Sequence, residues 1–486
     1  MPEPTRDSLH NRVAKNGVAS LVAQAIRFVI YFATAIVLAH RLSPEDFGLF
    51  GVAFAFTGFL EIAKDGGLVV PVVQSKNLTG LQLTALFWVN AATGTALTLI
   101  AVAIAPFAAR LYGDTRLLTA IPVLALTFLA GGISTQHRGL LRREARFVAL
   151  GFCETAALGA GCIVAVILAT KGAGYWSLVG LYITLEVIQT GLTVAVSGWR
   201  PGWPRRGADI RHLLRFGGMM MAFNLMAYLT FRFDNLVVGW YAGPAALGYY
   251  EKAYQFLLLP VNQIGAPVTS VAHSALSRAQ NDPDQYRDLF DRLLLVTTGL
   301  GMPLTTFLFA NAPALIATLL GPQWLPSAPI FRALAPAAFL MTISVSTGWI
   351  YLSLGRAARQ LRWGPLTAVV IVTAFFTGVR WGAVGVAASL SISHALLLLP
   401  TLQYTCAESP VRWQRILRIA ARPAFASLFA LSISMAADVL WGGGAWEWPR
   451  NLLLFTASYY AGWIMIPGGR AFLRRHLPSL RMLLAR

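Results

Sequence analysis

Apolar runs of about 20 residues recur along nearly the whole chain, and no other feature constrains the fold as tightly. A helix rises about 1.5 Å per residue, so each run matches the roughly 30 Å hydrocarbon core of a bilayer. With their breaks, the runs predict about 14 spans, over 17–39, 46–71, 83–109, 117–136, 147–169, 174–198, 216–239, 246–272, 293–320, 328–353, 363–379, 383–404, 421–440 and 449–467. The first is too long for the core of a signal peptide and reads as a retained span. Only 12% of the 486 residues are charged, too few to coat soluble domains of that total size. The expected class is an all-α polytopic membrane protein, since a spanning helix satisfies its own backbone groups.

A formal charge of +19 would suggest nucleic acid in a soluble chain, but here placement matters more than the sum. Arg6, Arg12, Lys15, Lys76, Arg138, Arg142, Arg143, Arg146, Arg200 to Arg215, Arg278, Arg287, Arg292, Arg356, Arg359, Arg362, Arg412 to Arg422 and Arg470 to Arg486 fall in alternate connections and the two tails. Those segments hold about 28 of the 39 Lys and Arg, which predicts both termini on the cytoplasmic side of a cell inner membrane. The long inner connections Trp199 to Arg215 and Ser277 to Arg292 are expected to lie along that surface, drawn to anionic lipid. The opposite connections are short, from Arg41–Glu45 to Trp441–Arg450, and leave no room for a catalytic domain. No Walker A loop, dinucleotide fingerprint or nucleophile elbow is present, and the seven histidines show no metal-ligand spacing. Neither an enzyme, a cofactor nor a metal site is expected. Cys153, Cys162 and Cys406 read as small apolar packing residues.

A shift of 200 residues lays Ile36 to Phe56 over Leu236 to Phe256 without a gap. Pro44 meets Pro244, Gly48 meets Gly248, Ala53 meets Ala253 and Phe56 meets Phe256. Further on, Leu111-Tyr112-Gly113 resembles Leu319-Leu320-Gly321, and Leu141 to Arg146 resembles Leu354 to Arg359. Spans 1 to 6 are therefore expected to repeat as spans 7 to 12. An even number of spans per repeat makes the halves parallel, two six-helix bundles that move solutes by rocking around a central cavity. The expected organisation is an N-terminal lobe over 1–199, a linker over 200–215, a C-terminal lobe over 216–405, and spans 13 and 14 with a basic tail over 406–486.

Ionisable groups within the spans are costly in hydrocarbon, so each is a candidate functional residue. Arg27 and Arg232 stand out, since a guanidinium cannot neutralise itself and suits bidentate phosphate binding. Span 2 carries Glu61, Lys64 and Asp65, spaced so that Glu61 can pair with Lys64 along one helix face. Asp234 on span 7 and Glu251 and Lys252 on span 8 lie further outward. Glu154 and Glu186 have no obvious local cation, which would suit proton coupling.

The segments NGVASLVAQAIRFVIYFATAIVLAHRLSPEDFGLF, DGGLVVPVVQSK, GYWSLV, RFDNLVVGWYAGPAALGYYEKAYQF, ALSRAQ and GPQWLPSA, in that order, resemble the Wzx-type oligosaccharide flippases of the multidrug/oligosaccharidyl-lipid/polysaccharide exporter superfamily. The resemblance runs from about residue 10 to about 405. It implies a V-shaped pair of six-helix bundles that turns a polyprenyl-diphosphate-linked oligosaccharide from the cytoplasmic to the periplasmic leaflet by alternating access, for lipopolysaccharide or exopolysaccharide synthesis. It also implies a proton or sodium gradient as the driving force and a polysaccharide polymerase as a partner. Arg27, Lys64 and Arg232 are then the candidates to hold diphosphate and sugar in the cavity. Glu61, Asp65, Asp234, Glu251, Glu154 and Glu186 are candidates for ion coupling or gating. Tyr31, Trp240, Tyr249, Tyr250 and Tyr254 could stack on sugars or belong to an interfacial aromatic belt. The rival readings are a lipid-linked peptidoglycan-precursor flippase, a cation-coupled drug antiporter of the same superfamily and, from a different class, a membrane glycan polymerase.

Overall fold

The computed structural model describes residues 6–64, 72, 79–144, 146–204, 209–441 and 448–466. Among them every regular element is a helix. The order is α1 Arg6–Arg41, α2 Pro44–Lys64, α3 Gly80–Tyr112, α4 Leu117–Arg143, α5 Phe147–Thr170, α6 Trp176–Ser197, α7 Arg211–Arg278, α8 Pro283–Ala310, α9 Ala312–Leu319, α10 Ser327–Ser353, α11 Ala357–Gly378, α12 Gly382–Cys406, α13 Trp413–Trp441 and α14 Trp448–Met465. The all-α polytopic fold read from the sequence is what is found. Eight helical stretches among the described residues are long and apolar enough to cross a membrane. Phe107, Phe152 and Leu396 are each more than three-fifths exposed on such helices, an apolar surface that suits lipid tails and not water.

Local chemistry sets the helix starts. Thr79 accepts from the Gln82 backbone while the Gln82 side chain accepts from Thr79, a reciprocal cap that opens α3. Asp282 caps α8 by accepting from the Asp284 and Gln285 backbones, with Pro283 in the first turn. The connection expected over Ser277 to Arg292 is thus mostly helix, the end of α7 and the start of α8 reaching past their apolar runs.

The loop expected over Trp240 to Ala245 is likewise absent. Spans 7 and 8 form the one element α7, whose helical geometry fails only at Gly243, with φ 84° and ψ 172°. A residue with a Cβ is strained at that φ, so glycine is what permits the bend there. Pro244, with its fixed φ and missing N–H, suits the first turn of the resumed helix.

Contacts divide the chain into two compact units, Met1–Gly248 and Tyr249–Arg486, with the boundary inside α7. In the first, α3 packs on α4, α4 on α6, α5 on α6 and α1 on α5. In the second, α8 packs on α10, α10 on α12 and α11 on α12. Spans 3–4, 4–6 and 5–6 thus pair as spans 9–10, 10–12 and 11–12 do. The appended α13 lies along α8 and α14 along α13. Asn451 on α14 donates to both Asn311 and Asp438 at 2.9 Å, and the Tyr459 hydroxyl donates to the Gly299 carbonyl at 2.8 Å.

The chain after α6 returns to α3. The Trp88 indole donates to the Gly202 carbonyl at 3.0 Å, Trp203 stacks on Trp88, and the Gln82 amide donates to the Asp209 carbonyl at 2.9 Å. Gly202, Trp203 and Asp209 of the linker are thus held against α3.

Candidate functional site

Three helices of the first unit bring charged groups together inside the bundle. Lys64 ends α2, and its side chain is only 3% exposed. Its Nζ lies 3.3 Å from Glu61 Oε1, one turn back on α2, and 3.3 Å from Glu186 Oε1 on α6. Gly131 on α4 makes this reach possible. A Cβ at that position would lie 2.6 Å from both Cε and Nζ of Lys64, so the lysine stem runs through the space that the glycine leaves. Arg138, two turns further along α4, brings its Nη2 to 3.9 Å from the same Glu186 oxygen.

Glu186 thus has the local cations that were not evident in the sequence, two of them. Among the described residues two cations and two carboxylates gather here, and each offsets part of the several kcal/mol that an isolated buried charge would cost. The cluster is unevenly enclosed. Glu186 and Lys64 are shut in, whereas the Glu61 side chain is 43% exposed and offers the cluster one open edge.

A second pair joins α1 to α5. Arg27 Nη1 lies 3.1 Å from Glu154 Oε2, both about a quarter exposed. Glu154 was expected to lack a cation and Arg27 to stand alone; each is the other's partner. Asp234 on α7 is buried, and its Oδ1 accepts from the Asn235 backbone at 2.9 Å. Asp65 and the Arg232 side chain lie outside the described residues. In the second unit Glu251 is half-buried beside Lys252, whose Nζ donates to Gln255 at 3.2 Å.

Of the candidate aromatics, Tyr250 is fully buried and stacks on Tyr254, and Tyr249 meets Trp324 edge to face. Trp240 is about half exposed, and Tyr31 half-buried. Tyr250 is closed to a sugar in this structure. Among the described residues no three His, Cys, Asp or Glu side chains gather as metal ligands.

Arg138 is the member of the cluster that sequence reasoning assigned elsewhere, to the basic connection with Arg142, Arg143 and Arg146. The signal that points to the cluster is position: no turn residue separates Arg138 from the apolar run of α4, and it falls on the turn after Ser134 and Thr135, both fully buried.

Residues 37–329 match the family described as polysaccharide biosynthesis protein, a stretch that includes the whole Glu61–Lys64–Arg138–Glu186 cluster. The chain belongs to that family. Family relatives align over most of their length. The chain is 23% identical over 446 residues to the lipopolysaccharide biosynthesis protein WzxC of Escherichia coli (strain K12), covering 90% of this chain and 89% of that one. It is 28% identical over 376 residues to the succinoglycan biosynthesis transport protein ExoT of Rhizobium meliloti (strain 1021), covering 76% and 74%. Among solved structures, the lipid II flippase MurJ in an inward closed conformation aligns over 95% of this family member and 100% of its own chain, with a TM-score of 0.76 at 14% identity. A multidrug resistance transporter of the MATE family and MOP superfamily, in an inward-facing conformation, covers 83% and 99% with a TM-score of 0.60, also at 14% identity. These two show the fold, and the resemblance read from the sequence is borne out by the family match and the relatives.

Proposed function

We propose that this polysaccharide biosynthesis family member is a flippase, which turns a polyprenyl-diphosphate-linked oligosaccharide from the cytoplasmic to the outer leaflet of the inner membrane. The observation that carries the reading is the cluster of Lys64, Arg138, Glu61 and Glu186, enclosed by apolar helices in a chain whose relatives are named for polysaccharide synthesis and transport. A lipid-linked diphosphate needs a cationic, hydrated path for its head group while its tail stays in the bilayer. Lys64 and Arg138, held by carboxylates in the absence of substrate, are cations that a diphosphate competes for. Arg27 and Arg232 are proposed as further substrate contacts.

Glu186 is the group proposed to couple the cycle to an ion, with Glu61 and Glu154 as further carriers and Asp65, Asp234 and Glu251 as gating groups. In this reading the lobes 1–199 and 216–405 rock about the linker 200–215, both termini are cytoplasmic, the chain performs no bond-making chemistry, and a polysaccharide polymerase uses the product.

The experiment is complementation in a strain lacking the gene. Wild-type protein restores surface polysaccharide, and its absence leaves the lipid-linked repeat accumulating on the cytoplasmic leaflet. Polysaccharide at wild-type levels in the deletion strain, or accumulation of the repeat on the outer leaflet, contradicts the assignment.

A further inference from the structure

Three polar side chains join the appended helices to α8. Asn311 closes α8, Asp438 lies in the last turn of α13, and Asn451 lies in the first turn of α14. Asn451 stands between the other two, with its Nδ2 2.9 Å from both Asn311 Oδ1 and Asp438 Oδ1. Both asparagines are buried and Asp438 is half-buried. The basic connections lie at the other end of these helices, which puts the three residues on the side predicted to face outward.

Two oxygens face the Asn451 amide, and neither can be exchanged for a donor. Asn311 gives its own Nδ2 to the Phe307 carbonyl at 3.0 Å, which fixes its Oδ1 towards Asn451. Asp438, as a carboxylate, has only oxygens to offer. The hydrogen bond it receives comes from a neutral amide, and among the described residues no Lys or Arg pairs with it. Arg450, next to Asn451, is exposed.

Position adds to this demand for positive charge. Asn311 and Asp438 both stand at helix C-termini, which carry about half a negative charge and favour cations. Of the three helices, α14 alone turns its positive end here. On the far side of the same amide, Asn451 Oδ1 is buried without a hydrogen-bond partner. Turning the amide over brings that oxygen to the other two, an arrangement that is repulsive until a cation stands among them.

We propose that Asn311, Asp438 and Asn451 form a binding site for a monovalent, oxygen-seeking cation such as sodium. One carboxylate neutralises one such charge, and the amide oxygens complete a set of hard ligands. The ion in turn offsets the cost of a carboxylate inside an apolar helix. Since α8, α13 and α14 belong to the one compact unit Tyr249–Arg486, the ion joins parts of a single body. It fastens the appended pair to α8 and is not the coupling ion of a transport cycle, so the site does not depend on the flippase reading.

The test is equilibrium binding of radioactive sodium to the purified full-length protein in detergent. Wild type is expected to bind saturably, with displacement by unlabelled sodium and not by choline. Asp438→Asn keeps the shape, removes the charge and is expected to bind one ion fewer per chain. No saturable binding by wild type overturns the proposal, as does binding that Asp438→Asn leaves unchanged. Sodium in place of choline is also expected to slow backbone hydrogen exchange in α14, and exchange that stays the same with the ion bound overturns the fastening role.

A gain of function tests the same three residues. Asn451→Asp adds a second carboxylate to the set, which makes calcium the better-matched ion. Calcium is expected to raise the thermal midpoint of this variant by several degrees more than that of wild type. Equal responses of the two proteins to calcium overturn the proposal.

Discussion

Lys64 and Glu186 meet at 3.3 Å across 122 residues of sequence, inside a bundle of otherwise apolar helices. Removing one partner of a buried pair leaves the other uncompensated, at a cost of about 3–5 kcal/mol, whereas replacing both by apolar residues of similar size is nearly neutral. Glu186→Ala is therefore expected to lower thermal stability in detergent markedly, and Lys64→Met with Glu186→Leu much less. Both are expected to abolish complementation. A double variant that is stable and still exports would show the pair to be purely structural.

Gly131→Ala is expected to act on Lys64 without changing any charge. The added methyl takes the space of the lysine stem, and overpacking of this kind costs about 1–3 kcal/mol. Export should fall towards the level of Lys64→Ala, and a Gly131→Ala, Lys64→Ala double variant should be no worse than Lys64→Ala alone. Additive losses in the cycle would separate the two residues.

Arg27→Ala and Arg232→Ala are each expected to abolish glycan export while leaving the protein in the membrane at normal abundance. For Arg27, removing Glu154 as well should not rescue export if the guanidinium serves the substrate, but should rescue it if the pair serves only packing. Quantifying surface polysaccharide against membrane abundance decides between them, and full export by both arginine variants would remove them from the site.

The contact between the start of α2 and the connection from α3 to α4, in which Arg116 meets Glu45 and Asp114, carries a pH dependence outside the spans. Hydrogen bonds from Arg116 hold the Asp114 carboxyl below its ordinary 3.8, and Asp114 and Glu45 hold the Arg116 guanidinium charged. A depressed carboxylate contributes stability that is complete above its ordinary value and is lost as pH falls through the lowered one. Thermal stability in detergent is thus expected to owe nothing to this contact's titration from neutral pH to about 5 and to fall through it only under stronger acid. In Asp114→Asn the acid-dependent fall should shrink, and an unchanged acid response would place its origin elsewhere.

The helices and the repeat were legible because both are written locally. A 20-residue apolar run is its own evidence, and Pro44 and Gly48 recur as Pro244 and Gly248 in one unbroken frame. The Glu61–Lys64 contact was legible for the same reason, being one turn of a single helix. Arg27–Glu154, Lys64–Glu186 and the place of Arg138 were not, because each depends on which faces of separate helices come together, and apolar patterning around a buried helix does not mark a face. The crossing in which Gly48 lies on the Pro244 carbonyl and Gly248 on the Pro44 carbonyl was half legible. The matched residues were visible, but that they touch each other follows only from the packing.

The flippase assignment is tested most directly in proteoliposomes that contain the purified protein and a fluorescent polyprenyl-diphosphate oligosaccharide, by measuring how fast label becomes accessible to an external quencher or glycosidase. The account predicts protein-dependent exchange between leaflets that Glu186→Ala and Lys64→Ala abolish. Exchange no faster than in protein-free vesicles, under an imposed proton or sodium gradient of either sign, would contradict it.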